Sequence, residues 1–235
     1  MKKSHIATLI VFLVLIPLTL ILGSRLSGRA FYVTSTLVIV ELLIPFFLAF
    51  EGRRPQAREL VVLAVMCALA VAGRVAIPIP NFKAIFGIIM VAGIAFGPES
   101  GFLVGAISAL ASNFFYSQGP YTPWQMMAYG AGGMLAGFVF AQGRLPRKPV
   151  IMGIFGFLAV TFFVGPLLDT CSVFLVMSRI TLKGAMAFYI SGFPVNLRQA
   201  VATAIVLLVL GKPLLEKLDR IKTKYGILDE GGKEA

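Results

Sequence analysis

Residues 113–137, NFFYSQGPYTPWQMMAYGAGGMLAG, decide how this chain is read. Asn113, Gln118, Tyr121, Thr122, Trp124 and Gln125 gather there around Gly119, Pro120 and Pro123, between two runs that are almost wholly hydrocarbon. Proline lacks an N–H and glycine tolerates sharp turns, so the grouping predicts that the backbone breaks out of helix here. In lipid an unpaired peptide group costs roughly several kcal/mol, so irregular backbone at membrane depth is packed in protein or faces a cavity. The stretch therefore reads as the lid or floor of a binding site; a Trp/Tyr belt at the membrane interface is the plainer reading of the same residues. Behind it, Gly130, Gly132, Gly133 and Gly137 strip the next helix of side chains, so that a neighbouring helix or a ligand can approach its backbone.

The rest of the chain sets that stretch in a membrane. Of 235 residues, 58% are hydrophobic and 13% charged, with a mean hydropathy of +0.92, a balance foreign to ordinary soluble domains. The net charge of +11 would suggest a nucleic-acid partner in a soluble protein, but here Lys and Arg lie between apolar runs, where they orient the chain against the cytoplasmic face. No nucleic-acid partner is expected. Cys67 and Cys171 lie inside apolar runs and read as packed thiols. With His5 as the one histidine, no metal site, no cofactor and no catalytic residue is expected.

Eight spans follow from the pattern. Ile6 to Leu22 is the first and Phe31 to Phe50 the second, with Glu41 near its centre. An intramembrane carboxylate usually faces protein or water, so Glu41 is either functional or a protonated structural residue. Glu51 to Glu59, with Arg53, Arg54 and Arg58, is a basic cytoplasmic linker between two leader helices and a core. Leu60 to Ile77 carries Ala64, Ala68 and Ala72 at a spacing of four, one smooth helical face that suits docking of another helix or packing within the chain. A loop with Asn81 and Lys83, a short run Ala84 to Phe96, a tight turn Gly97 to Gly101 and a span Phe102 to Phe115 lead to the opening stretch. Pro123 to Ala141 then returns. Val150 to Met177 is long for one crossing, and Gly165-Pro166 is expected to kink or break it, with Asp169 just beyond. Ala185 to Leu210 is the last span, before a basic tail from Lys212 and a frayed end.

With both termini inside, the cytoplasmic segments hold fourteen Lys and Arg against seven in the outer half, which supports that orientation. The expected domains are leader helices at 1–50, a linker at 51–59, a core at 60–212 and a tail at 213–235. Arg74, Asn81, Asn113, Tyr116, Gln118, Tyr121, Trp124, Gln125, Asp169 and Asn196 then all fall in the outer half, where one pocket would gather them. Aromatic faces with a few amides and charges suit a small polar organic molecule. No G-x-x-x-x-G-K-S/T loop occurs, so the chain does not cradle a nucleotide phosphate by that device and any pumping draws its energy from something else. An autonomous proton-coupled carrier using Glu41 and Asp169 is the alternative, and a structural membrane protein without a ligand is the third reading.

The Ala64/Ala68/Ala72 stripe, the loop from Asn113 to Gly119, Thr122-Pro-Trp-Gln125, and Gly133 with Gly137 together resemble the substrate-binding S components of energy-coupling factor vitamin transporters. The resemblance covers roughly Pro55 to Lys217. It implies an all-α integral membrane protein of the cell membrane, a six-helix core here preceded by two extra N-terminal transmembrane helices. It also implies that Ala64, Ala68 and Ala72 dock on a transmembrane coupling subunit driven by two cytoplasmic ATPases, and that the outer loops close over a vitamin or vitamin precursor. The eight-span plan, the arginine-rich linker and the Thr122-Pro-Trp-Gln-Met126 loop look like the branch associated with cobalamin and related corrinoids.

Overall fold

A computed structural model describes residues 10–15, 18–19, 21–22, 30–52, 56–141, 143–177 and 179–227. Among these there is no strand, and seven continuous helices follow a π turn at Val11–Leu15. They are α1 (Ala30–Gly52), α2 (Ala57–Val75), α3 (Ile85–Phe96), α4 (Pro98–Tyr116), α5 (Thr122–Ala136, continued by a π turn at Gly137–Ala141), α6 (Pro149–Val176) and α7 (Leu182–Tyr225). Of the expected first span, Ile6 to Leu22, positions 6–9, 16, 17 and 20 lie outside the described residues, as do Arg53, Arg54 and the final residues 228–235.

Helix α3 is the centre of the bundle. Its sequence IFGIIMVAGIAF has hydrocarbon all round, and all twelve residues are buried, with α2, α4, α5, α6 and α7 against it. Twelve residues rise only about 18 Å, too few to cross a bilayer alone, so α3 is a core rod enclosed by longer helices. Phe86 meets Tyr129 of α5 edge-to-face at 4.6 Å between centroids. Lys222, far along α7, reaches back to donate to the Ala95 carbonyl at 2.7 Å, satisfying one of the last carbonyls of α3.

Glycines let α3, α4 and α5 touch backbone to backbone. A Cβ on Gly133 of α5 would lie 2.8 Å from the Gly101 carbonyl carbon of α4, and one on Gly105 would lie 2.7 Å from the Gly130 Cα. Where lipid is as apolar as leucine, such close packing is what holds helices together. The glycines after the Trp124 loop are thus spent on a neighbouring helix.

Several boundaries differ from the sequence reading. Helix α4 runs on to Tyr116 and α5 starts at Thr122, so the irregular stretch is only residues 117–121, and Asn113, Trp124 and Gln125 are helical. Pro123 sits in the first turn of α5, where its missing N–H has no helical partner to lose. The turn after α3 contracts to Gly97 (φ 94°), because Pro98 likewise opens α4. Gly165-Pro166 leaves α6 unbroken: a π turn at Val160–Val164 lies directly before it and widens the helix where the proline ring would strike the preceding carbonyl. The basic stretch from Lys212 to Lys224 is the continuation of α7, and among the described residues Pro149–Val176 and Leu182–Tyr225 are the two helices long and apolar enough to cross a membrane. Cys67 and Cys171 are free and buried.

Alternating helix direction puts the connections 76–84, 117–121 and 177–181 at one end of the bundle. Helix α1 joins that end through Thr36, whose hydroxyl donates to the Pro120 carbonyl at 3.4 Å.

Candidate functional site

At that end, Arg74 in the last turn of α2 meets the last two turns of α4. The Arg74 Nη1 donates to Ser112 Oγ and, at 2.9 Å, to Asn113 Oδ1. The guanidinium lies 4.9 Å from the Tyr116 ring centre and 5.6 Å from that of Tyr129, so two aromatic faces fix its plane. Tyr116 closes the contact by donating its hydroxyl to the Arg74 carbonyl at 3.0 Å.

Asn113, fully buried, passes the network on to α5. Its Nδ2 donates to Gln125 Oε1 at 2.8 Å and Thr122 Oγ1 at 3.1 Å. Thr122 in turn donates to Gln118 Oε1 at 2.9 Å, and the Gly119 amide donates back to Thr122 Oγ1. Gln118 Nε2 is spent on the Leu110 carbonyl, and the Tyr121 hydroxyl on that of Ser117, a non-glycine at φ 78°. Each amide is oriented by a partner on another element, so the loop is held rather than merely connected.

Trp124 stands apart from that network. Its ring stacks on Phe174 of α6 at 5.5 Å and packs with Cys171 and with Ile39 of α1. It is 8% exposed, and its Nε1 is buried without a partner among the described residues. Ile39 of α1 is thus among the side chains that bury the indole. Asp169 and Asn196 form a third group: Asn196 Nδ2 donates to Asp169 Oδ2 at 2.7 Å, tying α6 to α7, while Thr170 and Tyr189 share a hydrogen bond at 2.8 Å beside them. The carboxylate occupies the space that a Cβ on Gly192 would need. Asn81, at φ 58°, turns the α2–α3 connection and is not part of the Arg74 network.

The ten expected site residues thus resolve into one network (Arg74, Asn113, Tyr116, Gln118, Gln125), loop-borne Tyr121, packed Trp124, an Asp169–Asn196 tie and the turn residue Asn81. Ser112, Thr122 and Tyr129 belong to the network and were not among those ten. Thr122, Gln125 and Tyr129 sit at i, i+3 and i+7 on one face of α5, a spacing visible in the sequence.

The alanine stripe has its own geometry. Ala64, Ala68 and Ala72 are all exposed on α2, beside exposed Val61, Val65 and Leu69, while Leu63, Met66, Cys67 and Ala70 on the opposite face are buried. The stripe is not covered by the chain's other described helices. Glu59, buried at the start of α2, accepts from Ser100 of α4 at 3.3 Å.

Comparison with known proteins gives one family: the model described as ECF-type riboflavin transporter, S component, matches residues 55–216. No curated protein and no solved structure matches.

Proposed function

This chain belongs to the ECF-type riboflavin transporter S-component family, and we propose that it is the vitamin-binding subunit of an ATP-driven uptake transporter. Such subunits are membrane-integral transport proteins, not enzymes. In this reading the six helices α2 to α7 are the core, two leader helices precede it, and both termini face the cytoplasm. Arg74, Asn81, Asn113, Tyr116, Gln118, Tyr121, Trp124, Gln125, Asp169 and Asn196 serve an outward-facing vitamin site. Ala64, Ala68 and Ala72 dock on a transmembrane coupling subunit that carries two cytoplasmic ATPases.

The observation that carries the docking is the free alanine face of α2, whose other side is sealed into the core. A helix surface of small side chains lets a partner helix approach closely, which drives association in lipid. Riboflavin is the first vitamin to try, from the family's description, and cobalamin the second, from the Thr122-Pro-Trp-Gln-Met126 loop.

The test is co-purification from native membranes with the coupling subunit and ATPases, followed by Ala68→Trp. The expected result is loss of assembly with vitamin binding by the isolated chain retained. Assembly that survives bulky residues at Ala64, Ala68 and Ala72 would overturn the docking. Uptake by the chain alone, driven by a pH gradient without ATP, would replace this reading with a carrier built on Glu41 and Asp169.

A further inference from the structure

We propose that the ligand taken at this end of the bundle carries an acidic group, a carboxylate or a phosphate, and that Arg74 binds it. The inference rests on the vitamin-binding reading above and narrows its substrate class: it favours a molecule that carries an acidic group, such as riboflavin 5′-phosphate or the phosphodiester-bearing cobalamin, over riboflavin itself.

Arg74 is half-buried and held rigidly, yet only part of it is used. A guanidinium has five N–H donors in a fixed fork. Here Nη1 serves Ser112 and Asn113, while Nε and Nη2 make no hydrogen bond among the described residues. No carboxylate pairs with Arg74 among those residues either. A half-buried cation without a counter-ion is a costly way to join α2 to α4, since hydrogen bonds between neutral side chains can tie two helices without the charge. The two tyrosine faces hold the plane of the fork still, so a bidentate acid would meet a donor pair already oriented for it.

The surroundings have the same sign. Lys83 Nζ lies 6.0 Å from the Tyr116 ring centre, on the ring that also faces Arg74. Arg179 and Lys183 are exposed at the α6–α7 turn of the same end. Among the described residues, two acids lie near the level of Cys171: Asp169, whose carboxylate accepts from Asn196 and packs on Gly192, and Glu41 of α1, which accepts from Thr19. Lys and Arg are depleted on the non-cytoplasmic side of membrane proteins, so cations kept at this end need a reason other than topology. An excess of positive charge that concentrates anions supplies it.

The experiment measures equilibrium binding to the purified full chain with acid and neutral partners of equal shape: riboflavin 5′-phosphate against riboflavin, nicotinate against nicotinamide, pantothenate against pantothenol, biotin against biotinamide. In at least one pair the acidic member should bind about ten- to a hundredfold more tightly, and the pair that responds separates phosphate from carboxylate. Arg74→Gln should erase that preference by weakening the acidic member alone, and Arg74→Lys should restore part of it. If in every pair that binds the neutral member binds as tightly as its acid, or Arg74→Gln weakens both equally, Arg74 is a structural clip and the proposal falls while the vitamin site stands. The pair comparison on the unaltered chain decides this even if the variants fail to fold. Should no member of any pair bind, nor cobalamin, the vitamin-binding reading fails and this inference with it.

Discussion

Asn113 Nδ2 donates to Gln125 Oε1 at 2.8 Å, joining the last turn of α4 to the first turn of α5 across the loop 117–121. Because Asn113 also accepts from Arg74, one buried amide couples three helices, and the loop between two of them inherits that rigidity.

Replacing Asn113 with Ala should therefore do more than remove one bond. Arg74, Thr122 and Gln125 would each lose a partner in a half-buried setting, at a cost of about 1–3 kcal/mol. The readout is a lower Tm in detergent together with faster proteolysis within 117–121. An unchanged Tm would mean that water replaces the amide freely.

The glycine seam separates two kinds of crowding. Gly133→Ala pushes a methyl into the Gly101 backbone of α4, whereas Gly132→Ala meets only the end of the Val164 side chain at 2.9 Å. Backbone cannot step aside as a side chain can, so Gly133→Ala should cost about 1–3 kcal/mol and Gly132→Ala less. Thermal unfolding and the monodisperse yield after extraction check the order.

Trp124 is the one tryptophan of the chain, so its fluorescence reports this corner without a label. Ile39→Ala opens a gap between α1 and the indole, with an expected loss of about 2–4 kcal/mol and a red-shifted emission. A shift without loss of Tm would mean that α1 shields the ring but does not stabilise the core.

Lys222→Met keeps the aliphatic stem and removes the donor to the Ala95 carbonyl. The end of α3 should then lose about 1 kcal/mol of stability, seen as a small drop in Tm without effect on vitamin binding at the opposite end of the bundle. An effect on binding would imply that α3 transmits strain between the two ends.

Much of the fold was legible because helix in lipid is dictated by local hydrocarbon content. The runs 31–50, 60–77, 123–141 and 150–177 are close to α1, α2, α5 and α6 as found. Proline and glycine were legible as punctuation, but not always in sign. Pro123 opens α5 within one residue of the expected start, whereas Pro98, expected in a turn, opens α4, and Pro166, expected to kink or break α6, is absorbed by a π turn, because what a proline does depends on whether the preceding turn still needs its hydrogen bond. The site was legible as a set of residue types. Its division into an Arg74–Asn113 network, an Asp169–Asn196 tie and a covered Trp124 was not, since those contacts join residues 27 to 39 apart in sequence and α1 to α5 and α6.

The sequence by itself determined that this is an all-helical chain, that its polar groups cluster at one end, and that α2 bears a stripe of alanines, because each is a property of composition and of the 3.6-residue repeat. Only the tertiary structure decided that the alanine stripe faces outward, that α3 is enclosed, and that three of the five Arg74 N–H donors have no partner among the described residues. Those depend on which faces the packed helices consume, and packing in the bundle is chosen by close backbone approach at glycines distant in sequence, which no local pattern records.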